Sequence, residues 1–192
     1  MKKLLITGFD PFGGESINPS WEAVKLLPET IGEYTVYKLQ IPTVFGAAAE
    51  KLLETAAEIK PDVIISVGQA GGRAAVTPER IGINVRDARI TDNAGISPKD
   101  EPIVPGGPDG YFSTLPVKAM ITAINNAGLP GSISNTAGTF VCNDVLYSML
   151  HHYAGTDVCC GFVHVPYLPQ QGEPNLTLEQ TAQALIAAVS AL

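Results

Sequence analysis

Three side chains in this sequence have the types needed for one reaction: a thiol, an imidazole and a carboxylate. Cys142 lies near the end of the run Ser134-Asn135-Thr136-Ala137-Gly138-Thr139-Phe140-Val141-Cys142-Asn143. Beyond it, Val145, Leu146, Met149, Leu150 and Tyr153 recur on one helical face. The segment therefore reads as a short strand near Ser134, a tight turn and a helix whose N-terminus holds Cys142. Free N–H groups and the helix macrodipole lower a thiol pKa at such a position and can hold an oxyanion. Asn143 and Asp144 suit the first turn, although a carboxylate at Asp144 opposes a thiolate. The competing reading is a buried, inert cysteine.

His164 closes the apolar run Val158-Cys159-Cys160-Gly161-Phe162-Val163-His164-Val165. Strand ends of that kind deliver side chains to the reactive rim of an open α/β sheet. A satisfied core histidine is the alternative. Glu79 precedes Ile81, Ile83 and Val85 in period two, and a carboxylate aligned with a buried face needs a partner or a function. Thiol, imidazole and carboxylate form the nucleophile, base and orienter of cysteine hydrolysis. Cys142 would attack a carbonyl, His164 would carry the proton, and Glu79 would hold the imidazole.

The elements that must position these groups follow from hydrophobic period. Residues 3–7, 34–41, 62–68 and 158–165 read as strands, the third a continuous apolar run of the kind covered on both faces. Helices are expected from Asn18-Pro19 through Leu27, over 44–59, over 114–127, after Cys142, and from the capping box at Thr177 to the C-terminus. Glu79 to Asp87 is expected as one strand. Residues 88–113, rich in Gly, Pro and Asp, read as a long loop or lid. Strands separated by helices of about 10–16 residues imply an α/β sheet with helices on both faces. With no internal repeat or linker, residues 1–192 read as one domain. His151 and His152, late in the Cys142 helix, read as surface residues, and Cys159 and Cys160 as core.

Composition narrows the partners. The chain has 192 residues, 45% hydrophobic and only 16% charged, which favours a well-buried fold over disorder. A net charge of −7 disfavours nucleic acid and anionic membranes. Three cysteines, two of them adjacent, make a poor disulfide framework, and the N-terminal apolar stretch is too short for a signal sequence; the expected compartment is the cytoplasm. No spacing suggests a metal site, and no cofactor is expected. The loop Phe9-Asp10-Pro11-Phe12-Gly13-Gly14 reads either as a phosphate cradle or as an aromatic pocket wall; it lacks the lysine of a Walker motif and the spacing of a dinucleotide fingerprint.

Three stretches together resemble one family. They are Thr7-Gly8-Phe9-Asp10-Pro11-Phe12-Gly13-Gly14 with Asn18-Pro19-Ser20, then Gly68-Gln69-Ala70-Gly71-Gly72 running to Thr77-Pro78-Glu79-Arg80 and Asn84, and the Ser134–Asn143 run. Ala88-Arg89-Ile90 with Asp92-Asn93, and His164-Val165-Pro166-Tyr167, add to the match. The sequence resembles the pyroglutamyl peptidase I (pyrrolidone-carboxylate peptidase) family of cysteine peptidases along nearly its whole length. The resemblance implies a three-layer α/β/α fold with a mixed, mostly parallel sheet. It also implies removal of N-terminal pyroglutamate from peptides through a thioester, by Cys142, His164 and Glu79. Phe9, Phe12, Phe140 and Gln69 would enclose the pyroglutamyl ring, with Arg89 and Ile90 beside them, and the assembly would be a cytoplasmic homotetramer. Departures are Gly82 in place of a usual alanine, Thr91 in place of a usual proline, and Asp144. A neutral lactam needs no carboxylate anchor, and aromatic faces plus a few amide hydrogen bonds suit it.

Overall fold

The computed structural model describes residues 1–192. Four parallel strands form the centre of a six-stranded sheet: β1 (Lys2–Phe9), β3 (Tyr34–Ile41), β4 (Val63–Gln69) and β8 (Cys159–Val165). Short antiparallel strands close the edges, β2 (Thr30–Ile31) on β3 and β5 (Thr77–Pro78) on β8. The order is β2-β3-β1-β4-β8-β5, a mixed and mostly parallel sheet. β4 and β1 lie centrally and are almost wholly buried, as their unbroken apolar runs require.

Helices cover both faces, making the expected three-layer α/β/α sandwich. On one face α1 (Pro19–Leu26), α3 (Val117–Asn126) and α5 (Leu178–Val189) enclose a core that includes Leu4, Ile6, Val24, Ile65, Met120 and Leu185. On the other, α2 (Ala47–Ile59) and α4 (Val141–His152) cover Leu5, Phe9, Leu52, Ile64, Val145 and Phe162. Strand alternation sorts the two sets, since successive side chains leave opposite faces. Local signals fix the helix ends. The Asn18 side chain accepts from Ser20 N–H and Pro19 opens α1. Thr177 and Gln180 form both halves of the capping box that starts α5, a device worth about 1 kcal/mol.

Three expectations are corrected, and the reading of 88–113 is refined. The segment from Glu79 to Asp87 is not one strand. The chain leaves the main sheet at Glu79, and β6 (Ile81–Ile83) pairs instead with β7 (Gly110–Phe112) in a separate two-stranded ribbon. The strand near Ser134 reduces to single bridges, Val76 with Gly131 and Glu79 with Ser134. Polar and small residues there leave too little apolar surface to extend the pairing. The 88–113 stretch is the long loop that was one of its two readings, with β7 at its end, and polar contacts tie it down. Asp92 accepts from the N–H groups of Phe45, Ala94 and Ile96, and Asn84 bonds both N–H and C=O of the Val104–Gly107 turn. Finally, His151 is half-buried: its Nδ1 lies 3.0 Å from the Tyr111 hydroxyl and its ring stacks on Tyr147.

Candidate active site

Glu79, His164 and Cys142 converge at the carboxyl ends of β4 and β8. β5 runs antiparallel to β8 with Thr77 opposite His164, and the Glu79 N–H donates to Phe162 C=O at 2.9 Å. This pairing carries the Glu79 side chain beneath the imidazole. His164 Nδ1 and Glu79 Oε1 are 2.7 Å apart, with His164 4% and Glu79 0% exposed. The period-two strand expected to bury Glu79 is absent, since Ile81, Ile83 and Val85 are only partly buried, but the carboxylate is buried all the same and its partner is His164.

Gly68 is the register partner of His164 across β4 and β8, so both positions face the α2/α4 side. A side chain at Gly68 would have its Cβ 2.7 Å from the Phe162 ring and 3.0 Å from Cys142 Sγ. The glycine therefore leaves the space into which the thiol is set beside His164. Gly71 serves a similar purpose one turn on, since a Cβ there would lie 2.1 Å from the Tyr167 ring.

Cys142 occupies the second position of α4, as expected. The N–H groups of Asn143 and Asp144 turn back to Phe140 C=O, which leaves those of Val141 and Cys142 without a backbone partner. Two details differ from the sequence reading. Asp144 does not press on the thiol: its buried carboxylate accepts from Arg86 Nε at 2.6 Å and Gly46 N–H at 2.8 Å, pointing away from the site. Asn143 is equally committed, bonding Ile83 N–H, Ile83 C=O and Val85 C=O, and so locks α4 to the ribbon.

The second difference is electrostatic. Burial pushes the Cys142 thiol up to about 12, the charge of Glu79 adds to this, and Arg73 and the helix N-terminus offset only part of it. Burial also lowers the His164 pKa, and Glu79 opposes that without reversing it. For Glu79, burial acts to raise the pKa, but the contact with His164, then Ser134 and Arg73, holds the carboxyl below the usual range. The resting site is thus a neutral thiol, a neutral imidazole and an ionised carboxylate. Cys142 Sγ makes no hydrogen bond to His164 in this geometry, while Nδ1–H donates to Glu79 and leaves Nε2 free to accept a proton.

Around this centre lie the aromatic residues. Phe12 and Phe140 are half-buried with ring centroids 6.1 Å apart, and Phe45 meets Phe140 edge-on at 5.2 Å. Phe9 is only 2% exposed and packs on Phe162 at 6.1 Å, so it is the floor beneath the cluster more than its wall. Gln69 ends β4 at the rim, and its Oε1 accepts from Gln171 Nε2 at 3.0 Å. Arg89 and Ile90 are exposed and line an open groove with Asp87, Gly138, Thr139 and Phe140. No set of His, Cys, Asp or Glu side chains is arranged to hold a metal ion.

Sequence reasoning missed three participants. Arg73 donates to Glu79 Oε1 at 2.7 Å, yet in the sequence it was only the end of a glycine-rich turn. Phe45 belongs to the aromatic cluster although it stands within an expected helix. Asp10 braces the Phe12 loop, accepting from Thr43 N–H at 2.7 Å and Asn93 Nδ2 at 3.2 Å. The Asp10, Asn18 and Asn93 side chains sit among the resembling stretches, which was the one signal available for that network.

Comparison with known proteins bears on the chain as a whole. A family model described as pyroglutamyl peptidase matches residues 2–192. The pyrrolidone-carboxylate peptidase of Levilactobacillus brevis is 54% identical, over 99% of this chain and 97% of that protein. That of Erwinia tasmaniensis is 52% identical, covering 99% of this chain and 92% of that one. Among solved structures, pyroglutamyl peptidase I from Bacillus amyloliquefaciens superposes with a TM-score of 0.96 at 44% identity, covering 100% of this chain and 96% of that one. With a family match over nearly every residue and relatives above half identity, the chain belongs to the pyroglutamyl peptidase family.

Proposed function

We propose that this protein removes N-terminal pyroglutamate from peptides by a Cys142–His164–Glu79 mechanism through a thioester. The reading is supported by the names of the relatives, pyrrolidone-carboxylate peptidase, and by one observation above all: a wholly buried Glu79–His164 pair 2.7 Å apart beside a thiol at a helix N-terminus. Cys142 Sγ attacks the carbonyl carbon that joins pyroglutamate to the next residue, and its proton passes to His164 Nε2. The oxyanion takes the unpartnered N–H groups of Val141 and Cys142. His164 then gives the proton to the leaving amine, the C–N bond breaks, and the thioester remains. Water, losing its proton to the same imidazole, attacks the thioester; free 5-oxoproline leaves and the thiol is restored.

A raised thiol pKa fits this sequence of steps. The proton leaves Cys142 as the bond to carbon forms, so a standing thiolate is not required, and Glu79 stabilises the imidazolium as it appears. The pyroglutamyl ring is assigned to the cluster of Phe12, Phe140 and Phe45 over the Phe9 floor, with Gln69 offering its amide. Phe12 and Phe140, with ring centroids 6.1 Å apart, would lie against the lactam. The following residues of the peptide run toward Arg89 and Ile90.

Selectivity tests this assignment. Proline lacks the ring carbonyl and carries a charged amine when N-terminal; glutamine is open-chain and charged. Either would leave a pocket group unpaired or bury an uncompensated charge. Pyroglutamyl amides should be cleaved at least ~10³-fold better, in kcat/KM, than matched prolyl or glutaminyl amides. Prolyl hydrolysis within tenfold would remove the neutral-lactam pocket.

A further inference from the structure

We propose that Arg73 is a positioning residue for the catalytic pair: its guanidinium keeps Glu79 ionised and aimed at His164, and ties that pair to the loop that presents Cys142. The inference rests on the Cys142–His164–Glu79 reading given above.

Glu79 satisfies its charge through one oxygen. Oε1 receives both His164 Nδ1 and Arg73 Nη1, each at 2.7 Å, while Oε2 is buried with no hydrogen-bond partner. A wholly buried carboxylate supported by His164, Ser134 and Arg73 loses one of its two hydrogen bonds, and its one permanent counter-charge, if Arg73 goes. The groups that face it are His164 from β8, Arg73 from the turn after β4, Cys142 from α4 and the Ser134 hydroxyl, which bonds Thr136 C=O at 3.0 Å. Among these Arg73 is the one permanent cation. Arg80 faces elsewhere, with its Nε on Asn135.

The same guanidinium has two further partners. Nη1 donates to Thr77 Oγ1 at 2.6 Å and Nη2 to Thr136 C=O at 3.0 Å. Thr77 lies on β5 opposite His164, and Thr136 lies six residues before Cys142 on the loop into α4. One planar, multiply donating group thus joins the strand carrying the carboxylate to the segment carrying the nucleophile. Lysine would supply the charge but not this fork.

Removing the cation has a signed consequence. Arg73 favours the ionised carboxylate, the neutral imidazole and the thiolate alike. Without it the Glu79, His164 and Cys142 pKa values all move up, and the acid limb of kcat/KM against pH moves with them. Arg73→Gln should shift that limb upward by about one pH unit and lower kcat, with KM little changed. Arg73→Lys should return the limb toward the parent position while kcat stays reduced, because charge is restored and geometry is not.

The experiment is the pH dependence of kcat/KM on a chromogenic pyroglutamyl amide for the parent, Arg73→Gln, Arg73→Lys, Thr77→Val and Glu79→Gln, with circular dichroism of each. Thr77→Val keeps the charge, loosens its anchor and gives a smaller shift of the same sign; it carries the test if Arg73→Gln does not fold. An unmoved acid limb in a folded Arg73→Gln, or in Thr77→Val where that variant stands in, overturns the proposal. Glu79→Gln with undiminished kcat overturns the triad reading instead, whatever the Arg73 variants do.

Discussion

Cys142 and Cys160 carry thiols that burial pushes to the same place, about 12, and little else about them is alike. Cys160 lies in β8 at 1% exposure, packed in the α2/α4 core, with Cys159 as its titratable neighbour. Cys142 keeps some residue exposure at the rim although its thiol is buried, and it lies at a helix N-terminus with free N–H groups, within the field of Glu79 and Arg73. The shift that burial gives a thiol therefore does not tell the two cysteines apart. What separates the two is a neighbouring imidazole with a free ring nitrogen and the buried Glu79 carboxylate held against it.

The largest expected effect tests that separation outright. Cys142→Ala should lower kcat by at least ~10⁴-fold, as loss of a covalent nucleophile does elsewhere. Cys160→Ala should leave kcat/KM within about threefold, because a small cavity far from the rim costs stability and not chemistry. Steady-state assays on both, with thermal melts, would break the comparison if Cys160→Ala proved the more damaging to turnover.

Next in size is the carboxylate. Glu79→Gln keeps the shape of the side chain but cannot offset an imidazolium, so kcat should fall by ~10²–10⁴ with KM nearly constant. A raised KM at constant kcat would move Glu79 from the proton path to substrate binding.

The smallest expected effect is on stability against pH. His164 is held below its ordinary pKa, so below about pH 6.5 the unfolded chain takes up a proton that the folded chain resists. Glu79 is also depressed; its contribution is present above about pH 4.3 and is lost as pH falls through the lower folded value. Both signs make the fold less stable toward acid. Calorimetry between pH 5 and pH 7 should give a Tm that falls with pH in the parent and in Cys160→Ala, and falls less steeply in His164→Ala. Equal slopes in all three would mean that His164 is not held neutral by the fold.

The contrast between the two cysteines also measures how far sequence could be read. Helix period after Cys142 and the apolar run before His164 reflect local rules, and both elements stand within a residue or two of expectation. The fold class followed from alternation of such elements. Glu79 reached its partner by a route that alternation did not describe, because a chain break after it is decided by which sheet each side can join. Thiol ionisation was less legible still. A helix N-terminus is visible in sequence, whereas the packing that buries Cys142 and the Arg86 contact that neutralises Asp144 come from residues 50 or more positions away. Arg73 and Phe45 were invisible for the same reason: their partners are set by tertiary approach, not by spacing.

Trapping the acyl-enzyme tests the central claim most directly. The protein is mixed with an activated pyroglutamyl ester, quenched in acid within the first turnover, digested and mapped by mass spectrometry. The account predicts one pyroglutamyl group on the peptide containing Cys142, labile to hydroxylamine as a thioester is, and none on the peptide containing Cys159 and Cys160. A pyroglutamyl adduct on the Cys159–Cys160 peptide, or turnover by Cys142→Ala at the parent rate, would contradict it.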